Sequence, residues 1–141
     1  MGKNILRALC LTVVLMIGAL AFAGCGQKTL TLEEMVAQNP DMGKEISKGL
    51  GDISVKGVNP KLSYKKNTII ISLVYDKTFK EKDVKIMTKA FEKNDDAFDD
   101  VCTKAITNIK KSTDLQTVKI KIQVLDGEGT ELWKKTYGKS D

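Results

Sequence analysis

The longest periodic stretch of the chain runs from Thr78 to Lys111 and contains neither glycine nor proline. Its apolar residues recur every three or four positions, which is the spacing of an amphipathic helix. These residues are Val84, Met87, Phe91, Phe98, Val101, Ala105 and Ile109. A helix of about 33 residues would be about 50 Å long, so we expect it to bend or break near Asn94, where the spacing is interrupted. Thr78 and Glu81 have the spacing of a capping box that would start it.

A predicted hairpin precedes this helix. Its second strand, Thr68–Tyr75, is dense in β-branched residues, and its first strand alternates apolar and polar residues from Leu62 onward. Lys66-Asn67 would form the turn. Ile70 and Val74 point away from the other apolar residues of the second strand, so both faces of that strand are expected to need cover.

A second predicted hairpin follows the helix. Gln116–Leu125 alternates cleanly, with valine and isoleucine on one face and lysine and glutamine on the other. Asp126–Gly129 would turn the chain, and Thr130–Tyr137 would return as its partner, with Trp133 and Tyr137 on one face.

Two short helices are expected near the start of the domain. Thr31 and Glu34 have the spacing of a capping box, and Asn39-Pro40 indicates a break and a restart. Gly49 and Gly51 would end the second helix. The resulting order of elements predicts an α+β domain over residues 31–141, with a four-stranded antiparallel sheet made of two hairpins and the long helix between them packed on one face.

The first 24 residues have the pattern of a signal peptide. Lys3 and Arg7 precede an uncharged run, Ala8–Ala23, that is shorter than the ~20 residues a spanning helix needs. Ala21-Phe22-Ala23 would suit cleavage for ordinary secretion. The stretch from Phe22 to Cys25 resembles instead the lipobox of bacterial lipoproteins, and we favour that interpretation.

The lipobox resemblance implies that Cys25 is the lipid attachment site. In bacterial lipoproteins that cysteine carries diacylglycerol and becomes the new N-terminus, and two acyl chains on one residue anchor a protein stably. Residues 25–30 would be a short tether, since Gly26–Thr29 reach only about 15 Å when fully extended. The domain is therefore expected at the extracytoplasmic face of the cell membrane.

The cysteines offer no disulfide once the anchor is formed. Cys10 leaves with the signal peptide and Cys25 is acylated, so Cys102 is the only thiol left in the mature protein. A single cysteine in a helical pattern is most often buried, and we expect Cys102 to pack in the core.

Composition excludes several classes of function. The chain has no histidine, which removes the commonest general base, the usual nucleophilic triads and nearly every zinc site. Without Lys3 and Arg7, 21 lysines remain against 18 acidic residues, so the net charge falls from +5 to +3 and no arginine is left. Nucleic-acid binding then lacks arginine, the side chain that usually recognises guanine and phosphate with two parallel hydrogen bonds. We expect no cofactor, no metal, no nucleic acid and no enzymatic activity.

Three groups of residues are candidates for a binding site. The acidic cluster could attract a cation, although a solvated helix face is favoured because the glycine and the later glutamate of an EF-hand are missing. Its members are Asp95, Asp96, Asp99 and Asp100. Asp126 and Glu128 could also attract a cation, but they are better explained as residues of a hairpin turn, where an Asp-Gly pair is favoured. Trp133 and Tyr137 could form a platform for a sugar or peptide, but in so small a domain they are expected to fill the core.

Several phrases resemble a known family. The lipobox, TLEEMVAQNPDM, the hairpin end LVYDKTF and the closing LDGEGTELWKKTY resemble small lipoproteins of Gram-positive bacteria that share domain of unknown function 4854. The resemblance implies a surface lipoprotein and adds no activity. We expect a monomeric, non-catalytic domain that binds a partner in the cell envelope. The alternatives are an inhibitory or chaperone-like module, which would show an exposed sheet edge or apolar groove, and an enzyme that uses Asp and Lys side chains.

Overall fold

The computed structural model describes residues 30–44 and 56–138. Its elements are α1 (Leu32–Gln38), β1 (Val58–Lys65), β2 (Thr68–Tyr75), α2 (Glu81–Lys93), α3 (Asp95–Thr113), β3 (Lys119–Leu125) and β4 (Glu131–Tyr137). Residues 40–44 are helical as well, as expected after Asn39-Pro40, whereas the predicted helix end at Gly49 and Gly51 lies outside the described residues. Among the described helices, none combines the length and the hydropathy that crossing a membrane requires.

The four strands form one sheet in the order β1-β2-β3-β4. Both predicted hairpins are confirmed, because β1 pairs with β2 and β3 with β4 in antiparallel fashion. The prediction of an all-antiparallel sheet is wrong, since β2 and β3 run parallel. The physical reason is the connection between them: residues 76–118 carry both α2 and α3, and a crossover of that kind lets β3 enter the sheet in the direction of β2. The fold is thus α+β with a mixed sheet.

The first hairpin extends further than its alternating pattern indicated. β1 begins at Val58 and includes Pro60. Proline lacks the N–H that a central strand must donate, and β1 tolerates it because this strand lies at the edge of the sheet. The turn at Lys66-Asn67 is confirmed, with Lys66 in the left-handed region at φ 52°.

The long helix breaks where the apolar spacing is interrupted. α2 ends at Lys93 and α3 begins at Asp95, with Asn94 between them at φ −102° and ψ 11°. The Asn94 side-chain amide donates to the Ala90 carbonyl over 2.6 Å. Because asparagine competes for backbone hydrogen bonds in this way, it ends one helix and lets the next begin.

The two predicted capping boxes have different outcomes. At α1 the box is confirmed: the Glu34 N–H donates to the Thr31 hydroxyl over 3.2 Å, and the Thr31 N–H donates to the Glu34 carboxylate over 2.7 Å. At α2 the box is wrong, because that helix starts at Glu81 after an extended Lys80, with no side-chain cap. The Phe79 ring packs edge-on against Tyr75 with 4.9 Å between centroids, which holds this segment outside the helix.

The hydrophobic core lies on one face of the sheet. Alternate residues of the two central strands, paired as Ile69 with Ile120, Ile71 with Ile122 and Leu73 with Val124, are at most 3% exposed and pack against the helices. Ile70 and Val74 occupy the opposite face and belong neither to this core nor to the apolar residues packed against it. In the described part of the chain a single helical layer therefore covers the sheet, on one side.

Candidate functional site

Cys25, the predicted lipid attachment site, lies outside the described residues, but the place where its chain joins the domain is well defined. The Leu32 N–H donates to the Asn67 side-chain oxygen, and the Glu33 N–H donates to the Lys66 carbonyl, each over 2.9 Å. The Lys66 N–H in turn donates to the Glu33 carboxylate over 2.6 Å. The segment leading from Cys25 therefore enters the domain at the β1–β2 turn.

The acidic cluster does not act as one unit. Asp95 is bound by β4, where the Lys135 ammonium and the Tyr137 hydroxyl both donate to its carboxylate, the latter over 2.9 Å. Asp100 pairs with Lys104 over 2.8 Å with both side chains exposed, which fits the solvated helix face favoured by the sequence. Within residues 30–44 and 56–138, no three acidic or thiol groups are placed to hold a metal ion together. Sequence spacing gave no signal for the Asp95 contacts, because their partners are 40 and 42 residues away.

The pKa shifts of Asp95 and Tyr137 indicate that their contact with Lys135 has a structural role. The hydrogen bond from Lys135 lowers the pKa of Asp95, and burial together with the neighbouring Asp95 carboxylate raises the pKa of Tyr137. A carboxylate with a lowered pKa is a weak base, and a phenol with a raised pKa stays protonated. The arrangement therefore ties the start of α3 to β4 and favours neither group as a proton acceptor.

The expectation that Trp133 and Tyr137 fill the core is confirmed, and the alternative of an exposed aromatic platform is not. Tyr137 is only 3% exposed. Trp133 is partly buried, and its ring stacks on Phe91 with 4.9 Å between centroids and 18° between planes. Phe98 completes this cluster at 6.1 Å from Trp133. The Trp133 ring is therefore part of the aromatic packing between the helices and the sheet.

The remaining sequence candidates have structural roles. Asp126 is buried, and its carboxylate accepts from the backbone N–H groups of Glu128 and Thr130 over 2.9 and 2.8 Å, so the hairpin interpretation is confirmed. Cys102 is 1% exposed, as expected for a core residue.

The side of the sheet that no described helix covers, here called the open face, has a composition of its own. Strand alternation and the pairing register assign to it Asn59, Lys61, Ser63, Lys65, Thr68, Ile70, Ser72, Val74, Lys119, Lys121, Gln123, Leu125, Glu131, Lys134 and Thr136. This face of the four strands carries five lysines and one carboxylate, that of Glu131, which pairs with Lys134 over 2.8 Å. It is therefore strongly basic.

A polar row crosses the middle of the open face. The register aligns Lys61, Ser72, Gln123 and Lys134 from one edge of the sheet to the other. The Gln123 amide donates to the Ser72 hydroxyl over 2.7 Å, which satisfies a serine that is only 8% exposed. Ile70 lies on one side of this row, and Val74 and Leu125 lie on the other. The alternation of β3 predicted its outward lysines, but the lysines that β1 and β4 add could be placed only once the register was known.

Comparison with known proteins identifies a family and no characterised relative. Neither a curated protein nor a solved structure shows significant similarity to this chain. One family model matches residues 32–137, which spans every strand and helix from α1 to β4. The chain therefore belongs to the family described as domain of unknown function 4854.

Proposed function

We propose that this protein is a lipoprotein anchored through Cys25 to the extracytoplasmic face of the cell membrane, like the small Gram-positive lipoproteins that its sequence resembles. Its domain is a non-catalytic binding module. The observation that carries this proposal is the open face, because the described helices pack on one side of the sheet and leave a basic surface on the other. A surface that combines charged, polar and partly exposed apolar side chains is suited to contact with a partner.

The anchor part of the proposal rests on the sequence from Lys3 to Cys25. A charged start, an uncharged run and small residues before a cysteine are what a lipoprotein signal requires. The described domain is consistent with it, since the segment following Cys25 joins the domain at an exposed turn.

The binding part rests on which surfaces are available. An inhibitory or chaperone-like module that captures an unfolded strand needs an accessible sheet edge. Here β1 places Pro60 at one edge, while β4 has Lys134, Lys135 and a bulge at the other. Proline, lysine and bulges protect edges from pairing. The open face is thus better suited to binding than either edge.

Replacing the proposed attachment cysteine tests the anchor. Cys25→Ala should move the protein from the membrane fraction to the medium or leave an unprocessed precursor, and it should abolish labelling by a fatty-acid analogue in the producing cells. Cys10→Ala is the matched control, because it removes a cysteine from the predicted signal peptide and should leave labelling intact. Labelling that persists in Cys25→Ala would refute the assignment.

A further inference from the structure

We propose that the open face docks on the anionic phospholipid surface of the membrane to which Cys25 anchors the protein. This inference rests on the proposed anchor and names the partner of the binding face. The domain then lies flat on the bilayer, with its sheet toward the lipid headgroups and its helices toward the outside.

The charges of the open face are available for such a contact. Lys61 and Lys65 are exposed and Lys121 is partly exposed, and none of the three forms an ion pair with another described residue. Glu131, the single carboxylate on this face, is already neutralised by Lys134. A lysine near an anionic membrane strengthens binding by about fivefold, so three or more lysines on one plane are enough to orient a tethered domain.

The opposite side of the domain has a different character. Its helices carry both signs of charge on their exposed residues, including Glu81 paired with Lys85 and Asp100 paired with Lys104, each over 2.8 Å. Asp96 and Asp99 add further exposed carboxylates to α3. An anionic surface would therefore repel part of the helical side while attracting the open face, and the asymmetry sets one orientation.

The size of the face also allows an extended contact with a bilayer surface. Four strands spaced about 4.8 Å apart give it a width of about 14 Å, and eight residues give it a length of about 26 Å. Ile70, Val74 and Leu125 lie on either side of the central polar row, where their partly exposed side chains can contact the headgroup region. Apolar side chains interspersed with lysines are the composition expected of a surface that lies in a membrane interface.

The tether brings this face within reach of the membrane. Five residue steps separate Cys25 from Leu30, the first described residue, and fully extended they span about 18 Å. The chain then joins the domain at the β1–β2 turn, next to Lys65 and Lys66. The basic end of the sheet is therefore the part of the domain held nearest to the lipid.

Amine labelling of the mature protein, purified from the producing cells and mixed with vesicles, tests the proposal. The protein is reconstituted into phosphatidylcholine vesicles with or without phosphatidylglycerol, and the labelling of each lysine is measured by mass spectrometry. Labelling of Lys61, Lys65 and Lys121 should fall several-fold only with phosphatidylglycerol and recover in about 1 M salt, where charges are screened beyond about 3 Å. The helix lysines Lys82 and Lys89 are internal controls and should not change.

Charge-removing variants make the test specific. Lys61→Gln, Lys65→Gln and Lys121→Gln combined should reduce the ratio of docked to undocked protein on the order of 100-fold, read out as loss of the protection of Lys134. The matched control combines Lys82→Gln, Lys85→Gln and Lys89→Gln on α2 and should leave that protection intact.

The outcomes separate the two proposals. Protein that does not stay with either kind of vesicle refutes the anchor. Protein that stays with both kinds, but whose open-face lysines are labelled with phosphatidylglycerol as fully as they are in 1 M salt, refutes the docking and leaves the anchor in place. Open-face lysines that are protected just as strongly without phosphatidylglycerol overturn the proposed contact with an anionic surface.

Discussion

At the scale of single residues, the most informative contact is the one that Asp95 makes with β4. Its sequence context predicted a solvated acidic face, and three of the four cluster members are exposed. Asp95 differs because folding places Lys135 and Tyr137 beside it. A contact between residues so far apart in the chain leaves no local pattern, so it could not be predicted from spacing or charge.

The two tyrosines of the edge strands give the first prediction. Tyr137→Phe removes the hydrogen bond to Asp95 and should lower the free energy of unfolding by about 1–2 kcal/mol, since hydrogen bonds to charged groups are among the stronger ones. Tyr64→Phe is the matched control, because the Tyr64 hydroxyl is buried and has no hydrogen-bond partner among the described residues. That change should cost about 0 to 0.5 kcal/mol or stabilise the protein. Denaturant unfolding measures both, and equal losses would contradict the assigned contact.

The lowered pKa of Asp95 gives a prediction about acid stability. A carboxyl whose pKa is lower in the folded than in the unfolded state stabilises the fold at neutral pH, and this stabilisation disappears as the pH falls below about 4. Asp95→Asn should therefore be less stable than the original protein at pH 7, and the difference should shrink on acidification. Unfolding free energies across the acid range, with Asp96→Asn as control, measure this. A difference that stays constant with pH would contradict the pKa shift.

At the scale of elements, two identical spacings behave differently. Thr31 and Glu34 form a capping box, while Thr78 and Glu81 do not, although both follow the same rule in the sequence. The difference lies outside the local pattern: Phe79 packs against Tyr75, and the helix starts only after that contact. Helix and strand positions were thus largely predictable from periodicity, but their exact ends depend on tertiary packing.

These two threonines provide a matched pair of variants. Thr31→Ala removes the side-chain acceptor at the start of α1 and should destabilise the protein by about 1 kcal/mol. Thr78→Ala removes a hydroxyl that caps nothing and should stay within about 0.5 kcal/mol of the original protein. Thermal or denaturant unfolding compares them, and a larger loss for Thr78→Ala would show that the cap assignment is reversed.

At the scale of the whole molecule, the main result is that the sheet has two unlike faces. The sequence predicts this for β3, where apolar and basic residues alternate, but not for β2, where Ile70 and Val74 suggested that both faces are buried. The parallel direction of β2 and β3 could not be predicted from the sequence either. Each hairpin follows from local residues, whereas the pairing of β2 with β3 depends on the long crossover between them. The open face is therefore a property of the assembled sheet.

Neighbouring isoleucines of β2 test the two faces directly. Ile71→Ala creates a cavity in the core, where the side chain is 1% exposed, and should cost about 3 kcal/mol of unfolding free energy. Ile70→Ala shortens a partly exposed side chain on the open face and should cost about 1 kcal/mol. The same residue type in the same strand makes the comparison a matched one. Equal losses would mean that both faces are packed.

The proposed attachment of this asymmetric domain to a membrane requires a specific chemical structure at the N-terminus of the mature protein. Its most direct test is the mass of the N-terminal peptide of the mature protein, isolated from the membranes of the producing cells. We expect a peptide that begins at Cys25 and carries a diacylglyceryl group on its sulfur. A peptide that begins elsewhere, or an unmodified Cys25 thiol, would contradict it.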